Sequence, residues 1–116
     1  MQKVYKLIVL INPMAAIEIE GIGSLTEEEK KEAKKIIDRA YEKLKWGVKK
    51  DFLLRVIVKE YSKSGENFNK RKKYSIHAEI SGPVQVIEAS AVEWDFNKTL
   101  HMAMNKLIAE VEHLFR

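Results

Sequence analysis

The stretch from Val84 to Phe115, VQVIEASAVEWDFNKTLHMAMNKLIAEVEHLF, changes its hydrophobic period partway and so defines two elements and the joint between them. Up to Ala91 it is β-rich, with Ile87, Ala89 and Ala91 two apart on one face. Beyond the joint, Leu100, Met104, Leu107, Ile108, Val111, Leu114 and Phe115 recur at steps of three and four, a stripe that must bury against something. Asp95 or Asn97 can supply the capping oxygen where the period switches. The small side chains of Ala89-Ser90-Ala91 let a helix lie close over the strand. A strand turning straight into a helix is the best-specified unit of the chain.

The rest fits around that unit. Val4 to Ile11 reads as a strand, apolar on both faces, closed by Asn12-Pro13. Ala16 to Glu20 reads as a second short strand, although both could be one strand interrupted at Pro13. Ser24 to Trp46 holds a helix. Thr26 and Glu29 form a capping box at its start, Ala33, Ile36, Ile37, Ala40, Tyr41 and Leu44 make its apolar face, and Gly47 is the expected stop. Phe52 to Tyr61 alternates as a strand, Ser62 to Asn69 is a loop, and Tyr74 to Ser81 is another strand. Ser81-Gly82-Pro83 turns the chain into Val84.

The expected fold is therefore α+β, in two layers, with element order β(β)-α-β-β-β-α. A four- or five-stranded mixed sheet carries both helices on one face. At 116 residues the chain suits a single domain, with residues 1–14 an extra N-terminal strand before a core of residues 15–116. No apolar run is long enough for a membrane helix, and there is no cysteine for disulfides or thiolate metal sites. The N-terminus does not read as a signal peptide, which points to the cytoplasm.

Charge is unevenly placed. Lys43 to Lys73 holds 11 basic and 3 acidic residues, whereas the rest of the chain carries a net −4. A basic middle in a near-balanced chain suits a polyanion binder, and also a merely solvated surface. Lys34, Lys35, Arg39 and Lys43 on the first helix, with Lys70, Arg71, Lys72 and Lys73 beside the loop, are the candidate phosphate contacts. Tyr61 and Phe68 sit beside them, either to stack on bases or to pin the loop.

Catalysis finds little support. His101 and His113 are twelve residues apart on a helix, too far to share a metal unaided. Gly21-Ile22-Gly23 precedes a helix, but Glu27 to Glu29 would repel a bound phosphate. His77 beside Glu79 on a strand could do acid–base work, and equally is an ordinary solvated pair. Met102 and Met104 suit packing. The chain reads as a non-enzyme with no cofactor and no metal.

The end of the chain resembles the short ribosome hibernation-promoting factors, also called ribosome-associated translation inhibitors. Their pattern A-S-A-x-x-x-D-M-Y, followed by an amphipathic helix carrying K-L, is similar to Ala89-Ser90-Ala91, Asp95, Phe96 and Lys106-Leu107 here. The resemblance runs from about Ile17 to Arg116 and leaves out Met1 to Met14. It implies a double-stranded-RNA-binding-domain shape with an extra leading strand. It also implies docking on the small ribosomal subunit, where basic residues of both helices grip ribosomal RNA in the decoding channel. There the family blocks messenger and transfer RNA and keeps idle ribosomes inactive. Lys34, Arg39, Lys43 and Lys106 fall on the family's basic positions, but Ala109, Glu110 and Glu112 stand where it carries Arg or Lys.

Two expectations concern partners. An apolar strand such as Val4 to Ile11 either joins its symmetry mate in a homodimer or is a fifth strand buried by its own helices. The alternative function is a homo-oligomeric α+β binding module for a partner protein or a small ligand.

Overall fold

The computed structural model describes residues 6–12, 15–23, 25–48, 51–62, 72–82 and 86–114. Its elements are β1 (Lys6–Asn12), β2 (Ala15–Glu20), α1 (Glu27–Val48), β3 (Leu53–Ser62), β4 (Lys72–Ser81), β5 (Val86–Glu93) and α2 (Phe96–Leu114). The sheet has five strands in the order β1-β2-β3-β4-β5. β1 and β2 are separate antiparallel strands, not one interrupted strand, and β1 lies at the edge. The α1 crossover makes β2 and β3 parallel, and β3, β4 and β5 follow as antiparallel neighbours.

Strand alternation decides where the core sits. Ile17 pairs with Leu54, Leu54 with Ile80, and Ile80 with Ile87, and all four are buried. One row along, Ile19, Val56 and Ala78 repeat the pattern, and Ala78 pairs with the half-buried Ala89. Ala33, Ile36, Ile37, Ala40, Tyr41 and Leu44 from α1 and Leu100, Ala103, Met104, Leu107 and Val111 from α2 join this face in a single cluster. Each fully buried Leu, Ile or Val side chain stabilises the fold by about 1.5–3 kcal/mol before entropy is counted. Leu114, expected in the stripe of α2, is exposed at the helix end. Phe115 and Val84 lie outside the described residues.

Both helix starts are specified locally. The Thr26 Oγ1 accepts from the Glu29 amide at 3.1 Å and the Glu29 carboxylate accepts from the Thr26 amide at 3.0 Å. Glu27, Glu28 and Glu29 occupy the first turn of α1, where the dipole favours acids. At α2 the cap is Asp95, whose Oδ2 accepts from the Lys98 amide at 2.9 Å. Phe96 then packs edge-on against Tyr74 of β4 with ring centroids 5.5 Å apart.

Two glycines have different tasks. Gly21, with φ of 85°, leaves β2 so close to β3 that a Cβ there would sit 1.9 Å from the Val58 carbonyl oxygen. Gly47 does not stop α1, which continues to Val48. It has no positive φ; instead its bare Cα lets the Val111 side chain of α2 approach, since a Cβ would lie 2.7 Å from Cγ1.

Candidate nucleic-acid interface

α1 presents its solvent side through helical geometry. At about 100° per residue, Lys35, Arg39, Lys43 and Trp46 fall within one stripe, whereas Lys34 lies well round the helix with Asp38 and Lys45. Lys34, Lys35, Arg39 and Lys43 are all exposed, so the four predicted cations divide as three and one. Lys35 is 3.9 Å from Glu32, a solvated i,i+3 pair worth a few tenths of a kcal/mol. Arg39 and Lys43 have no ion pair among the described residues. The exposed Glu32 stands within the stripe one turn before Lys35, and the exposed Glu42 borders it. Burial raises the Asp38 carboxyl above its ordinary value; the nearby Lys34 ammonium opposes this shift and Glu42 adds to it.

Trp46 is the residue that sequence reasoning missed. It is 81% exposed on the same stripe as the cations, three residues beyond Lys43. Its position off the Ala33–Leu44 apolar face was a usable signal: a large aromatic outside the buried stripe must meet water or a partner.

α2 offers less. Lys106 is exposed, but its Nζ donates to the Ser90 carbonyl of β5 at 3.1 Å, which draws it toward the edge of the sheet. Ala109, Glu110 and Glu112 are all exposed, so the outward side of this helix carries acids. Of the loop candidates, Lys70 and Arg71 lie outside the described residues, as does Phe68, and Lys72 opens β4. Lys73 pairs with Tyr61 across β3 and β4, on the sheet face away from the helices.

That open face holds a network of charges at its other end. Arg55 donates to Glu20 at 2.8 Å and lies 3.7 Å from Glu79. The hydrogen bond to Glu20, then its charge, hold the guanidinium protonated even more firmly than usual. His77 Nδ1 is 2.9 Å from the Ser90 hydroxyl, and its Nε2 is 3.6 Å from Glu79 and 3.9 Å from Glu88. These three side chains bring donor atoms within 4.8 Å of one another, a spacing that could accept a cation. They lie at the surface and interlock with Arg55 and Ser90, so the arrangement is that of a cross-strand ionic ladder.

No protein-family model matches the sequence, and no curated protein sequence matches it. A solved structure does. The chain is similar in fold to the Thermus thermophilus Protein Y N-terminal domain. The TM-score is 0.56 at 13% identity, with 78% of this chain and 86% of that one covered. The likeness is one of architecture. Among the described residues, no helix is long and apolar enough to cross a membrane.

Proposed function

We propose that this chain binds ribosomal RNA, docks on the small ribosomal subunit in the cytoplasm and inhibits translation without catalysing a reaction. The observation that carries this reading is the exposed Lys35–Arg39–Lys43 stripe with Trp46 on α1. Phosphates would meet the cations, and the indole offers a flat surface to a base or sugar. The resemblance at Ala89–Leu107 to the hibernation factors, and the architecture shared with the Protein Y N-terminal domain, support the same reading. Lys34 contributes from the flank, Lys106 from the sheet edge, and Lys70 to Lys73 steer the approach of the polyanion.

Co-sedimentation on sucrose gradients tests it. The protein should travel with small subunits at low salt and be released steeply as salt rises, because phosphate contacts displace counterions. Absence from the subunit fractions at low salt would end the proposal.

The position of β1 favours a second reading. Its sequence KLIVLIN lies at the sheet edge with β2 its neighbour, which suits strand-to-strand pairing of two copies in a homodimer. Deleting residues 1–14 should then yield a folded monomer by light scattering. A full-length protein that stays monomeric at high concentration would remove the dimer.

A further inference from the structure

The open face of the sheet is divided electrostatically. At one end stand Glu18, Glu20, Glu79 and Glu88 around Arg55 and His77. At the other end the same alternation places Lys59, Tyr61, Lys73, Ser75 and Val92, and Trp94 follows just beyond β5. Among the described residues this second end presents no acid, because Glu60 and Glu93 are register partners of the buried Tyr74 and belong to the other face. Tyr61 is 55% exposed and Trp94 42%, large areas for rings on a strand surface. Tyr61 and Lys73 are direct cross-strand partners, and the Lys73 ammonium lies 5.3 Å from the centre of the Trp94 ring. With neighbouring strands about 4.8 Å apart, the backbone at Tyr61 and that just beyond β5 at Trp94 lie about 10 Å apart, with Lys73 on the strand between them.

We propose that this Tyr61–Lys73–Trp94 row is a stacking site for the unpaired bases of a single RNA strand. Every base has a π face, and rings standing on a sheet beside ammonium groups can take bases and phosphates together. A base arriving on Trp94 displaces Lys73, whose ammonium is then placed for the neighbouring phosphate. A duplex hides its base faces, so the row selects single strands. Positive charge without acids is what makes a polyanion the occupant, where a second copy of this chain or a protein would need a wider apolar centre. The inference rests on the reading of the chain as an RNA binder, but on a surface other than α1.

The two tryptophans allow the surfaces to be read separately. In a Trp46→Phe protein, Trp94 is the only indole, and an oligouridine of about 12 nucleotides should quench it saturably. Tyr61→Ala should weaken that binding about tenfold or more, while Tyr61→Phe, which keeps the ring, should retain it. Lys73→Ser should weaken it and flatten its salt dependence. No quenching at millimolar oligonucleotide, equal quenching by duplex RNA, or indifference to Tyr61→Ala would overturn the site. A Trp94 signal that moves with protein concentration alone would assign the row to contact between copies instead. Absence of subunit binding by the unsubstituted protein, with Trp94 still quenched in the Trp46→Phe protein, leaves this site standing without the α1 reading. Subunit binding with a silent Trp94 removes this site alone.

Discussion

α1 and α2 pack on the same sheet face by the same period, yet their solvent sides differ. α1 shows Lys35, Arg39, Lys43 and Trp46 to water, whereas α2 shows Ala109, Glu110 and Glu112 and directs Lys106 to a strand carbonyl. The buried stripes answer to volume and contact, and almost any residue is tolerated opposite them. A helix's outward chemistry can thus change while its packing stays. That is why a shared architecture at 13% identity carries so little about a binding surface.

The sharpest way to break the contrast is to reverse the charge of α1. Lys35, Arg39 and Lys43 changed together to Glu should lower affinity for the small subunit by a hundredfold or so and reduce the salt slope by about 3, with helicity unchanged. An unaltered gradient profile would move the contact elsewhere. A converse change sharpens it. Glu110→Lys with Glu112→Lys gives α2 the charge it lacks, and binding at low salt should tighten up to about tenfold, measured by filter retention.

The shared inner side can be tested at the point where the helices touch. Gly47→Ala adds a methyl against Val111 and should cost about 1 kcal/mol in urea unfolding, since overpacking outweighs the gain in helix propensity. A stabilised variant would mean that α2 yields easily at this contact. The smallest effect belongs to Asp38→Asn. Folding raises the Asp38 carboxyl above its unfolded value through burial, so its favourable contribution exists below the ordinary carboxylate range and is lost as pH rises through the raised value. The amide should therefore stabilise α1 at pH 7, by less than about 0.5 kcal/mol, and the difference should vanish near pH 3. A gap that widened toward low pH would reverse the sign of the shift.

How much of this was legible in the chain depends on what each feature requires. The order of elements, the parallel crossover and the Thr26–Glu29 box could be read because each rests on periodicity or on residues three apart. Gly47 reads as a terminator in the sequence because a glycine near a helix end serves equally as a left-handed cap or as a gap for a neighbour. Only the position of Val111 decides between them. The family resemblance groups Lys34 with Arg39 and Lys43, but the helical turn separates Lys34 from the other two. The Tyr61–Lys73–Trp94 row joins β3, β4 and the residue just beyond β5, so it depends on register, which no single stretch of residues displays. Lys106 carried the right charge at a matching position, and its bond to the Ser90 carbonyl became visible only once β5 was an edge.

The parallel pairing of β2 with β3 also has a kinetic consequence. On one side of it stands the β1–β2 hairpin, on the other the β3–β4–β5 meander, and both join neighbours in sequence. Hairpins form within about ten microseconds, whereas a parallel seam must wait until the crossover is in place. The chain is therefore expected to assemble as two sheets that dock along one line, with α1 as the strap between them. Pulse-labelled refolding should find that the β2–β3 bonds along Ala16–Glu20 gain protection last among the strands, and Gly21, pressed against Val58, is the clasp at the end of that line.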